Sequence, residues 1–128
     1  MNKPLLLLLS ALSLSFSAGA FANSACDKPR NDFDDLYCLN KVYLEADKEL
    51  NKNYGELVRM LDADGKKALK SGQLAWIRSR NEECSYSNAK GFYVNLVCAT
   101  DTTVERGRFV SDRLRECKSA GCMNSKLQ

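Results

Sequence analysis

The stretch from Asp34 to Leu61, DDLYCLNKVYLEADKELNKNYGELVRML, constrains this chain more than any other. Leu36, Leu39, Tyr43, Ala46, Leu50, Tyr54, Leu57 and Leu61 recur at steps of three and four, which puts them on one stripe of an amphipathic helix. At 1.5 Å per residue such a helix is roughly 40 Å long. A stripe of that length holds in water only if other helices cover it. Asp32, Asp34 and Asp35 supply candidate N-caps and negative charge for the positive end of the helix. Gly55 interrupts it at a cost of about 1 kcal/mol relative to Ala, which predicts a bend or a close helix approach there. Asp62-Ala63-Asp64-Gly65 ends the first helix and caps the next.

A second helix is predicted from about Lys66 to Cys84, with Leu69, Gly72, Gln73, Trp76, Arg80 and Cys84 on one face. Ser85 to Asn95, with Asn88, Gly91 and three aromatic residues, shows no strong period and reads as a loop. A third helix runs from about Leu96 to Cys117, where Thr100, Thr103, Gly107, Val110, Leu114 and Cys117 share a face. The leader from Asn23 to Asp32 is polar and reads as irregular, and the tail from Lys118 is polar. No alternating strand pattern and no repeat is visible. The expectation is an all-α fold, an antiparallel three-helix arrangement with short connections, stapled by disulfides.

The first 22 residues stand apart. Lys3 gives a positive start, Leu5 to Phe16 an apolar core, and Ala20-Phe21-Ala22 a cleavage site, together the pattern of a secretory signal peptide. Cleavage there would leave residues 23–128 as a single helical domain. Ser24-Ala25-Cys26 resembles the end of a lipid-attachment signal, but Asn23 stands where a Leu-like residue is wanted and acylation would strand one of six cysteines. No later segment approaches the about 18 to 20 apolar residues that a membrane span needs.

Cys26, Cys38, Cys84, Cys98, Cys117 and Cys122 in an exported chain of this size read as three disulfides. Six cysteines allow fifteen pairings. An up-down-up topology brings Cys38, Cys84 and Cys98 to one end, with Cys26 free to join them. Cys117 lies about 28 Å away along the third helix, out of disulfide reach, and is left with Cys122. Three pairings of the other four remain. Cys26 with Cys38 and Cys84 with Cys98 is favoured because each closes a short loop, each bond adding about 3 kcal/mol.

Several function classes drop out. The chain has no histidine and its cysteine spacing is no zinc pattern, so neither a metal site nor a cofactor site is expected. Without histidine the commonest general base is missing, and oxidised cysteines are not nucleophiles; the chain does not read as an enzyme. The formal charge of +3 falls to +2 without Lys3, and the densest basic run, Lys66, Lys67 and Lys70, shares its helix with Glu82 and Glu83, which is no nucleic-acid stripe.

Trp76, Tyr43 and Tyr54 are expected in the core. Asp47 and Asn51 lie one turn apart, and Arg80 or Arg106 could reach them from a neighbouring helix; with Gln73 these five make a candidate polar network that fixes helix register. Cys117-Lys118-Ser119-Ala120-Gly121-Cys122, once oxidised, is a small preorganised ring. Lys118, Ser119, Ala120 and Gly121 are its candidate partner-binding residues, against a plainer reading as a helix stop.

Several blocks occur in order: Cys26 and Cys38-Leu39; Ala46-Asp47, Glu49-Leu50-Asn51, Tyr54 and Leu57; Gln73, Ala75-Trp76, Arg80 and Cys84; Cys98; Thr103 and Arg106. Together they resemble the family of small exported bacterial proteins named after the LprI lysozyme inhibitor. That resemblance implies a helical, disulfide-bonded protein of the periplasm or the exterior that binds and inhibits lysozyme. The terminal ring is similar in spacing to the disulfide-closed loop of the Ivy inhibitors, without that family's histidine and acidic residue. Because many lysozymes are basic, an acidic patch at Asp32, Asp34, Asp35 and Glu45 would have to supply attraction. The competing expectations are a periplasmic adaptor or immunity-type module with a protein partner other than lysozyme, and a structural stress protein with no tight partner. Exposed apolar surface at Phe92, Tyr93 and Phe109 would favour the two binding readings.

Overall fold

The computed structural model describes residues 24–128; the signal-peptide reading of residues 1–22 lies outside them. Three long helices carry the fold: α2 (Asp32–Met60), α3 (Ala63–Cys84) and α4 (Leu96–Ala120), preceded by a single turn, α1 (Ser24–Asp27). Their boundaries follow local chemistry. Asn31, rather than an aspartate, caps α2 by accepting from the backbone N–H groups of Phe33 and Asp34, while Asp32, Asp34 and Asp35 fill the first turn and meet the positive end of the helix dipole. Asp62 caps α3 through Gly65 N at 2.7 Å, and Asn95 caps α4 through Cys98 N at 3.1 Å. Gly55 neither ends α2 nor admits a close neighbour: a Cβ there would meet nothing within 4 Å.

The chain runs up, down and up. Lys118 at the end of α4 pairs with Glu56 near the end of α2, and Val97 at its start lies beside Cys38, so α2 and α4 run parallel and pack along each other while α3 returns antiparallel, mainly against α4. The core sits at one end, where Leu50, Leu57 and Leu61 of the α2 side meet Leu69, Val110, Leu114 and Cys117. Leu127 completes it at 1% exposure, beyond a 3-10 turn (Asn124–Lys126). The tail is therefore not loose: Asn124 donates to Asp62 Oδ1 at 3.0 Å, and the backbone of Leu127 and Gln128 crosses so close to Gly72 that a Cβ there would come within 2.9 Å of it.

The expected loop after α3 is instead a β-hairpin, β1 (Ser85–Asn88) paired antiparallel with β2 (Gly91–Val94). Asn88 Oδ1 accepts from Lys90 N at 2.8 Å and Gly91 takes φ +146°, the chemistry of a tight reversal. Asn95 N donates to Cys84 O at 2.8 Å and closes the hairpin's base. The three disulfides are Cys26–Cys38, Cys84–Cys98 and Cys117–Cys122. The first holds α1 on α2, and the second ties the end of α3 to the start of α4.

Candidate functional site

Away from the core, the first half of α2 is open. Phe33 is 83% exposed, and Leu36, Tyr37, Val42 and Leu44 are each more than half exposed, although the apolar period runs straight through this region. A helix stripe specifies a face; it does not specify that a partner reaches that far. The start of α4 leaves Val97 equally open.

Between these elements lies a groove of about 910 Å³. Its floor is apolar, made by Leu39, Val42 and Ala46 of α2, Val97 of α4 and the Cys26–Cys38 bridge. Its charged residues are Asp35, Glu45 and Glu49, against Lys41 alone. Nearby, Asp34 accepts from Arg30 Nε at 3.0 Å and from Arg30 N, and these bonds hold its carboxyl below the usual 3.8. Asp34 is thus neutralised by a neighbour, whereas among the described residues neither Asp35 nor Glu49 has an ion-pair partner.

The hairpin flanks the same end. Tyr86 and Tyr93 are directly opposed and stack with ring centroids 5.0 Å apart. Because side chains alternate across a strand, Phe92 and Val94 point the other way, where they line a second hollow of about 620 Å³ with Tyr43 and Arg80. Phe92 remains 68% exposed. Phe109, by contrast, is half-buried between the guanidinium groups of Arg106 and Arg113 and adds little open surface.

The residues singled out from the sequence fall into three separate pieces. Asn51 Nδ2 donates to the backbone O and to Oδ2 of Asp47, a contact internal to α2 that no arginine joins. Arg106 Nε donates to Gln73 Oε1 at 2.9 Å and ties α4 to α3. Arg80 bonds to Asn81 and lies 4.9 Å over the ring of Trp76, which packs against the core while staying half-buried. Arg106 is itself buried, and loss of water lowers its pKa; its side chain lies over the Phe109 ring.

Lys118, Ser119 and Ala120 belong to the last turn of α4, and Gly121 makes the reversal at φ +93°. The Cys117–Cys122 ring is thus mostly helix. Lys118 Nζ is 3.2 Å from Glu56 Oε2 and holds that carboxyl below its usual value, and Cys122 packs against the core.

Sequence reasoning missed the groove and the aromatic face of the hairpin. A signal for the first was present: Phe33, Tyr37, Val42, Leu44 and Val97 are large apolar residues off the predicted stripes. Among the described residues, no group of three His, Cys, Asp or Glu side chains could hold a metal ion, and no helix is long and apolar enough to cross a membrane.

Comparison with curated proteins and with solved structures finds no match. A family model does match, that of the lysozyme inhibitor LprI, over residues 26–109; this interval contains the groove, the hairpin and two of the three disulfides, and stops short of the terminal ring. The chain belongs to the LprI lysozyme-inhibitor family.

Proposed function

We propose that this protein is exported and acts as a non-catalytic lysozyme inhibitor, binding the enzyme and closing its glycan cleft. The observation that carries this reading is the open apolar surface at the disulfide-bonded end of a chain in this family: Val42 and Val97 meet in one groove, with Phe33 and Tyr37 exposed on the same half of α2 and Tyr86 and Phe92 exposed on the two faces of the hairpin. Large contiguous apolar surface on a small domain marks a place where a protein partner sits, and aromatic residues are the side chains enriched in the cores of such interfaces. Lysozyme cleaves its substrate with carboxylates inside a cleft. An inhibitor needs no reactive group there, only a rigid surface that excludes the glycan.

Three disulfides suit an oxidising compartment outside the cytoplasm. They also support inhibition directly, since a preorganised surface loses less entropy on docking.

Lysis of bacterial cell walls by several lysozyme types, with and without the purified oxidised protein, tests the proposal. The expected result is inhibition at stoichiometric concentration, lost on reduction. Full lysis by every type, together with retention of one other envelope protein, would replace it with the adaptor reading.

A further inference from the structure

The groove between the first half of α2 and the start of α4 pairs an apolar floor with a rim on which carboxylates outnumber cations. Asp35, Glu45 and Glu49 stand at its rim against Lys41, in a chain whose formal charge is +3. Glu45 lies 3.9 Å from Lys48, with both side chains more than three-quarters exposed, an arrangement that solvent screens almost completely. Arg108 lines adjoining hollows that share Val42 and Glu49, so the rim is most negative at Asp35 and Glu45, a local patch on a positive molecule.

From this charge pattern we infer that the groove seats a basic protein surface: an apolar side chain of the partner enters over Val42 and Val97, and flanking Lys or Arg groups meet Asp35, Glu45 and Glu49. This rests on the inhibitor reading and names the part of the molecule that performs it; the partner is a lysozyme of strongly basic charge. The overall charge alone would repel such an enzyme, so attraction has to come from a local patch. The walls suit the task. The Cys26–Cys38 bridge fixes one side, and the Cys84–Cys98 bridge fixes the start of α4, which supplies the other.

A second copy of the chain is the obvious rival occupant for an apolar groove. A two-fold interface brings the same patch against itself, which would set three carboxylates and a single lysine, Lys41, against the same set. Charge disfavours that occupant and favours a basic one. The terminal ring is the rival site on this molecule, and its cation, Lys118, is already engaged by Glu56.

The test measures inhibition of a basic lysozyme by four forms of the full oxidised chain: wild type, Val42→Lys, the double variant Glu45→Lys with Glu49→Lys, and Lys118→Glu. All the altered residues are exposed or at the rim, and unchanged helical circular dichroism and melting verify the fold. The expected result is that both groove variants need about tenfold more protein or more for half inhibition, that Lys118→Glu matches wild type, and that wild-type inhibition weakens as salt rises from about 0.05 to 0.3 M. A wild type that inhibits while the groove variants inhibit equally well overturns the groove assignment and leaves the inhibitor reading intact. Loss confined to Lys118→Glu moves the site to the terminal ring. A wild-type dimer in sedimentation, broken by Val42→Lys, gives the groove to a second copy instead. A wild type with no effect on any lysozyme removes the parent reading and the inference with it, a pattern distinct from the others.

Discussion

The two ends of α2 have nearly opposite surroundings. Toward its C-terminus Leu50 and Leu57 are sealed among α3, α4 and Leu127, and Leu57 has no exposed surface at all. Toward its N-terminus the helix is richer still in apolar residues, yet Leu36, Tyr37, Val42 and Leu44 face solvent and the nearby order is supplied by two disulfides. The contrast teaches how a small domain can be ordered by packing at one end and by cross-links at the other. One end uses its leucines for packing. The other holds its backbone with covalent bonds and leaves its apolar side chains open to solvent, a use of cross-links that suits chains too small for a core along their whole length.

That division predicts a large asymmetry between matched substitutions. Leu57→Ala should cost about 2 to 5 kcal/mol in urea unfolding, whereas Leu36→Ala, the same change on the same helix, should stay within about 0.5 kcal/mol; equal costs would erase the distinction between the ends. Replacing Cys84 and Cys98 together by Ser should lower stability by about 3 kcal/mol, and amide exchange should show the largest loss of protection in β1, β2 and the start of α4, with Val110 and Leu114 least affected. Protection lost uniformly would mean that the bond serves the whole molecule.

Gly72→Ala probes the sealed end more finely. Its new methyl would meet the backbone of Leu127 and Gln128, where a shift of backbone rather than of a flexible side chain is needed, and the expected cost is about 1 to 3 kcal/mol. Gly55→Ala, in open space on α2, should instead stabilise by a fraction of this through helix propensity.

The smallest effect is electrostatic. Bonds from Gly65 N and the Asn124 side chain lower the Asp62 carboxyl from 3.8. A depressed folded value means that the contribution is present at neutral pH and disappears as pH falls through that value. The melting-temperature gap between wild type and Asp62→Ala should therefore be full above about pH 5 and shrink below 3.8; a gap independent of pH would show that the charge has no part in fastening the tail.

Much of the sealed end was legible in the sequence. Leu50, Leu57 and Leu61 lie on the predicted stripe, and the rise of a helix was enough to leave Cys117 with Cys122, whereas the pairing of the other four cysteines was one choice among three, favoured by loop length alone. Leu127 was not legible, because one apolar residue in a polar tail has no period to betray it. The hairpin escaped for a related reason. Its strands are four residues long and almost wholly exposed, so no alternation of buried and open positions marks them; the available clue was the Asn88 to Gly91 reversal between Tyr86 and Tyr93. At the open end the stripe was right about direction and silent about cover. Leu36 lies on it and remains more than half exposed, since nothing in a helix's own periodicity records where its neighbours stop.

Leu127 also sets an order of events. A chain delivered from its N-terminus presents α2, α3 and α4 before the residue that closes their shared interior. Until that stretch arrives, Leu57 and Leu69 lack one wall and Gly72 lacks the backbone that crosses it. The tail is therefore a latch: three helices leave a gap in their shared wall, and a single late leucine fills it.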